Sequence, residues 1–144
     1  MNNLAKSVIG IVVGVGLAIG TVVIFGMVFF GECNAEAGPG INWKDCNIVN
    51  IDLSGKDLSG ANLENTRLEY VIFDNADLTN VNLRGAFLLG VSMEQAILVN
   101  ATLADAIVEN SSLRFADLSE ADLTNTQFKN TDLECFENDI CHGK

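Results

Sequence analysis

The cysteines, the single histidine and the carboxylates are the side chains of this 144-residue chain with the most chemistry to offer. Cys33, Cys46, Cys135 and Cys141 form an even set, and outside the reducing cytoplasm an even set points to disulfides. Four cysteines allow three pairings. A metal site is the rival reading, and the spacing opposes it. There is no C-x-x-C, His142 is the single histidine, and no second ligand pair stands near it. His142 lies in the tail, where a solvated role is expected rather than a catalytic one. Asp57, Asp77, Ile97 and Asp117 recur in steps of twenty residues. No G-x-x-x-x-G-K-S/T loop, no H-E-x-x-H and no G-x-S-x-G is present. The residues therefore predict no enzyme, no cofactor and no metal ion.

Charge narrows the partners. The net charge is −11, and the only charged side chains up to position 32, Lys6 and Glu32, cancel. The remainder carries the whole excess. Binding to nucleic acid through phosphates needs Lys and Arg, so no nucleic-acid partner is expected. Basic partners, or solubility alone, are left as the reason for the acid.

The elements that must position these side chains repeat in fives. From Ile51 to Cys135 every fifth residue is apolar, beginning Leu53, Leu58, Leu63, Leu68, Phe73 and ending Leu123, Phe128, Leu133. These are seventeen consecutive units without an insertion. Two residues before each centre sits a second register, mostly small, with Ala in many units and Val, Thr or Ser in most others. A period of five fits neither a helix nor a flat strand. It sends two of every five side chains one way and three the other, as a closed solenoid does. Ala61-Asn62-Leu63, Ala76-Asp77-Leu78, Ala116-Asp117-Leu118 and Ala121-Asp122-Leu123 carry the pattern A-(D/N)-L-x-x, which closely resembles the pentapeptide-repeat family. The resemblance covers 85 of the 144 residues. It implies an all-β fold, a right-handed quadrilateral β-helix with four units per coil. About four coils would stand roughly 20 Å tall at about 4.8 Å per coil.

One transmembrane α-helix is expected before the β-helix. Residues 1–7 are short and polar, and residues 8–30 are uncharged. As a helix those 23 residues span about 34 Å, enough for a hydrocarbon core of roughly 30 Å. That length favours an uncleaved signal anchor over a secretory signal peptide, although Ala35-Glu36-Ala37 has the A-x-A form of a cleavage site. Lys6 on one side and Glu32 and Glu36 on the other place the N-terminus in the cytoplasm and the repeats in the periplasm or thylakoid lumen. Gly10, Gly14 and Ala18, and Gly16 with Gly20, form small-xxx-small patterns. Such patterns let a second helix approach closely, for self-association or for docking to a larger membrane protein. The plainer reading is that transmembrane helices are glycine-rich.

Residues 31–45 read as linker and cap, 46–135 as the repeat domain and 136–144 as a C-terminal cap. Gly38-Pro39-Gly40 breaks regular structure. Residues 42–50 are expected to close the lower end, with Trp43 over the open coil. On the solenoid implied by the resemblance the cysteines lie near the two ends. Cys33–Cys46 would then staple the entry and Cys135–Cys141 the exit, because cross-pairing must span about 20 Å against the usual Cα separation of about 6 Å.

Four units per turn also sorts the outward side chains. Phe87 and Ile107 become vertical neighbours with Leu89 beside them and Tyr70 at the corner, while Ile97 and Val99 lie on the opposite side. Asp57, Asp77 and Asp117 form a column. Stacked carboxylates raise one another's pKa and could hold an ion or a proton, but a solvated acidic face is the plainer expectation. An apolar patch rimmed by charge is the character of a protein-binding wall. The expected function is a non-enzymatic, membrane-anchored interaction or scaffold module. It would serve as an accessory subunit or stabiliser of a membrane protein complex. The alternative, from another branch of the family, is an acidic DNA mimic acting on DNA gyrase. Those proteins are cytosolic and dimerise through a C-terminal module that is not recognisable in these residues. The topology is testable directly: a reporter fused after Lys144 is expected to be active in the periplasm or lumen, and cytoplasmic activity would refute it.

Overall fold

The computed structural model describes residue 33 and residues 35–134. The anchor at 8–30 with its glycines, and Cys135 and Cys141, lie outside the described residues. The described chain winds into an all-β parallel solenoid. Five short strands, β1 (Asn47–Val49), β2 (Arg67–Glu69), β3 (Phe87–Leu89), β4 (Ile107–Glu109) and β5 (Gln127–Lys129), stack in chain order. Each pairs in parallel with the next at an offset of twenty residues, as in Leu68 with Leu88 and Leu88 with Val108. Four units of five residues therefore make one coil, and about four coils separate β1 from β5. Isolated bridges repeat the offset on the other three sides, through the columns starting at Asn42, Asp52 and Asp57.

The interior is what the five-residue pattern dictates. Leu58, Leu63, Leu68, Leu78, Leu83 and Leu88 are fully buried, and so are the small residues Ala61, Ala76 and Ala86 beside them. Burying one such leucine contributes about 1.5–3 kcal/mol. A polar residue buried in the small register needs a partner, and Thr66 and Ser111 each find one in the neighbouring coil. Thr66 Oγ1 donates to the Trp43 carbonyl at 2.8 Å, and Ser111 Oγ accepts the Val91 N–H at 3.0 Å. Burial without such bonds would cost about 1–3 kcal/mol.

Three of the four sides turn by the same device. On three sides the N–H three residues after a centre returns to the centre's carbonyl, as from Ala61 to Leu58 at 3.0 Å and from Ala86 to Leu83 at 3.0 Å. The third residue of that turn has a positive φ, and from Gly40 to Asn130 every fifth residue does. Asn, Gly and Asp fill most of these places, because short polar or absent side chains tolerate left-handed backbone. The strand side has the positive φ without that bond. On all four sides the N–H of the positive-φ residue reaches the coil above, as from Tyr70 to the Leu89 carbonyl at 2.9 Å and from Gly60 to the Thr79 carbonyl at 2.8 Å.

The recurring Asp and Asn residues are turn caps. Ser59 donates its N–H to Asp57 Oδ1 at 3.0 Å and its hydroxyl at 2.7 Å. Ser54 does the same to Asp52, and Thr124 to Asp122. The Asp77 and Asp117 carboxylates accept from Thr79 and Ser119. Where Asn stands instead, its amide also ties coils together, from Asn62 to Asn42 at 3.2 Å and from Asn82 to Asn62 at 3.3 Å. The expected mutual raising of carboxyl pKa values fails at Asp57. Ser59's hydroxyl, then its N–H, hold that carboxyl below its ordinary value. The same causes act on Asp52 from Ser54 and on Asp122 from Thr124.

Residues 42–50, expected as a cap, belong to the first coil. Asn42 bridges to Asn62, β1 pairs with β2, and Trp43 occupies a centre position at 3% exposure. Trp43 thus serves as the first interior layer. Ile41, Ala37 and Cys33 pack against the core from the arm before it. At the other end Leu123, Phe128 and Leu133 are only partly covered by the described residues.

Two outcomes are expected. Leu88→Ala should cost about 2–5 kcal/mol by chemical denaturation, because the coils on either side limit collapse around the cavity. Acid should also destabilise the solenoid. A depressed folded-state pKa contributes stability above the ordinary value of 3.8 that is lost as pH falls through the folded value. The melting temperature should therefore fall below about pH 4. The Asp52→Asn, Asp57→Asn, Asp122→Asn triple variant keeps the acceptor oxygens without the titration, and its acid loss should be smaller.

Candidate interaction surface

The strand side is the one continuous sheet of the solenoid. Residues flanking each strand centre point outward in two columns. The first runs Asn47, Arg67, Phe87, Ile107, Gln127, and the second Val49, Glu69, Leu89, Glu109, Lys129. Phe87 and Ile107 are paired vertical neighbours, and Leu89 stands above Glu69 and below Glu109. The three apolar side chains are half-buried. Part of the cover on Phe87 is Arg67, whose guanidinium lies over the ring at 4.6 Å from the centroid. Tyr70, 57% exposed, closes the corner. Its ring lies over Gly90, where an added Cβ would come within 2.7 Å of Tyr70 Cδ1. That close approach, together with a φ of +62°, makes glycine the fitting residue at 90.

Electrostatics set this side apart. Its charged side chains are Arg67, Glu69, Glu109 and Lys129, and they neutralise one another. Arg67 pairs with Glu69, and Lys129 Nζ meets Glu109 Oε1 at 2.7 Å. Each of the other three sides carries more carboxylates than cations. On the next side round, Asp52, Asp74, Glu94, Asp132 and Glu134 stand against Arg114. The solenoid is thus an acidic rod with one neutral, partly apolar wall.

The structure brings together Tyr70, Phe87, Leu89 and Ile107 and leaves Ile97 and Val99 apart. Ile97, 42% exposed, sits on the opposite side between Asp77 and Asp117 in the bridged column, with Val99 half-buried beside it. Three exposed apolar residues were missed by the sequence reading: Val49 below the patch, Ile72 just past the Tyr70 corner, and Phe115. Phe115 is 48% exposed and has the Arg114 guanidinium 5.2 Å from its centroid. A signal existed for it. Tyr70 and Phe115 both occupy the left-handed fifth position, at φ of +53° and +57°, where Asn, Gly or Asp is the rule. A bulky residue there is uncommon.

Cys33 and Cys46 form a disulfide with a Cα–Cα distance of 5.7 Å. Among the described residues no helix is long and apolar enough to cross a membrane, and no group of His, Cys, Asp and Glu could hold a metal ion.

The comparisons agree with this architecture. The profile of the family described as pentapeptide repeats matches residues 46–85, 57–95 and 96–134. No curated protein sequence matches the chain. A pentapeptide repeat protein from the Arabidopsis thaliana thylakoid lumen is similar at 27% identity and a TM-score of 0.59, over 62% of each chain. This chain therefore spans about 62% of that protein's length. A pentapeptide repeat protein from Nostoc PCC 7120 is similar at 28% identity and a TM-score of 0.51, over 56% of this chain and 83% of that one. The plasmid-mediated fluoroquinolone resistance protein QnrB1 is distant, at 19% identity and a TM-score of 0.32 over 64% of this chain and 67% of that one. The uninterrupted five-residue register, the parallel coils stacked at offsets of twenty and the profile match over most of the chain make this a member of the pentapeptide-repeat family.

Proposed function

We propose that this protein is a non-enzymatic, membrane-anchored interaction module whose strand wall packs against a protein of a membrane complex. The observation that carries the reading is the neutral, partly apolar wall on an acidic rod. Apolar burial is a main source of favourable free energy on association. The acidic sides repel acidic surfaces and leave the neutral wall as the side that a partner can approach without like-charge repulsion. Rigidity supports the same reading, because a wall held by ladder bonds loses little entropy on docking.

Location follows from the N-terminal residues. Residues 8–30 would hold the domain at the bilayer, with the repeats in the periplasm or thylakoid lumen, and the thylakoid origin of the Arabidopsis relative supports that side of the membrane. The anchor's Gly10, Gly14, Gly16, Ala18 and Gly20 would give a second contact within the membrane, with a partner or with another copy. The gyrase-directed alternative rests on acidic charge, and the distant likeness to QnrB1 adds nothing to it.

The test is retention of membrane partners by C-terminally tagged protein in mild detergent. Phe87→Glu or Ile107→Glu should keep the melting temperature within about 1–2 °C, as substitutions on an outward face do. Either should reduce the recovered partner. Wild-type recovery of partners by both variants would remove the strand wall from the interface.

A further inference from the structure

Two features of the N-terminal arm belong together. Ala35-Glu36-Ala37 has the small-x-small form after which a small-residue endopeptidase cuts. It lies between Cys33 and Cys46, whose sulfurs are joined across a separation of 13 residues. A cut between them leaves the two parts of the chain covalently connected.

Local structure marks where a cut is easiest. The arm enters the hydrogen-bonded solenoid at Gly40, whose N–H donates to the Ser59 carbonyl at 2.8 Å. Trp43 follows, bonding the Asn62 carbonyl at 2.8 Å. Among residues 35–39 the one backbone bond is local, the Gly38 carbonyl accepting the Ile41 N–H at 3.3 Å. These residues are held instead by the packing of half-buried Ala37 on the core and by the disulfide. Glu36 and Pro39 are exposed. A segment without ladder bonds opens at low free energy, and proteases cut such segments. Beyond Gly40 a coil must unravel first.

We propose that this arm is a processing loop in which cleavage and release are separate events. Water adds across the Ala37–Gly38 peptide bond, leaving a carboxylate on Ala37 and an amine on Gly38. The N-terminal piece stays attached through Cys33. Release needs a dithiol. Its thiolate attacks the sulfur of Cys33, the less buried partner, and Cys46 leaves as a thiolate that takes up a proton. The second thiol then displaces Cys33, and the dithiol, having supplied two electrons, ends as a disulfide. Cys46 remains in the small-residue register, where a thiol packs as a small apolar group. Anchored and cleaved forms thereby become successive states of one molecule, a domain that is retained after cleavage and freed by reduction. This inference rests on the loop and its disulfide, and stands apart from the strand-wall reading.

The experiment uses full-length protein in detergent, immobilised through an N-terminal tag and treated with purified signal peptidase, with dithiothreitol, or with both. Mass spectrometry locates the cut. Release of the repeat domain is expected only with both reagents, after a cut at Ala37–Gly38. Cys33→Ser should be released by the peptidase alone. A Cys135→Ser, Cys141→Ser variant should behave as wild type, which assigns retention to Cys33–Cys46. Release of wild type by peptidase without reductant, or no cut at Ala37 in either redox state, would overturn the proposal.

Discussion

Backbone pairing between successive coils is the constraint from which the rest follows. A coil N–H reaches a carbonyl nineteen residues ahead, as from Leu53 to Ile72, or twenty-one behind, as from Asn62 to Ile41. Those bonds hold only if each coil contains twenty residues. Four sides of five residues meet that count, and an inserted residue would move every later side chain to another face. Like therefore stacks on like. Leu68 lies under Leu88, Asn42 under Asn62, and Asp57 under Asp77. Leucines gain by stacking in a dry interior, and asparagines gain by bonding along the column. Carboxylates stacked in the same way would repel. The turn hydrogen bonds to their oxygens offset that repulsion, and Ile97 interrupts the column on the third side.

The same stacking turns substitutions on one unit into properties of a whole side. Where strand centres are flanked by Arg67 with Glu69 and by Glu109 with Lys129, the charges close on themselves and leave Phe87, Leu89 and Ile107 between them. Where Asp caps recur beside a centre, the side stays acidic. Function on a solenoid is thus a matter of which wall is which, and neutrality distinguishes the strand wall as much as its apolar residues do.

Ends are the weak points of such a fold, because an open coil exposes both interior and unpaired backbone. The lower end is managed by Trp43 as the first interior layer and by an arm carrying Cys33, Ala37 and Ile41, pinned through Cys46. Pinning closes a short loop, which restricts the unfolded chain by about 3 kcal/mol in the loop-entropy account. It also places the A-x-A sequence within that loop, so stability at this end and the fate of the N-terminal residues are linked by one bond.

The coil count, the interior residues and the outward pairing of Phe87 with Ile107 were all legible in the sequence. A five-residue period without an insertion leaves no freedom in which side chains point inward, and the resemblance to pentapeptide repeats, which implies four units per coil, made residues twenty apart vertical neighbours. On that solenoid the positions of Cys33 and Cys46 in the sequence put both at the same end. Other features were set only by tertiary structure. Trp43 reads as a lid over the open coil until Asn42 is seen bridging Asn62, which makes it a layer. The Asp57 carboxyl sits below rather than above its ordinary value because Ser59's hydroxyl and N–H bond to it and outweigh the opposing effect of burial, contacts that spacing does not contain. The exposure of Ile72 and Phe115, and the self-neutralisation of the strand wall, likewise depend on how side chains from coils twenty residues apart lie across one another. Periodicity supplies the address of each side chain, and contact between coils decides what it does there.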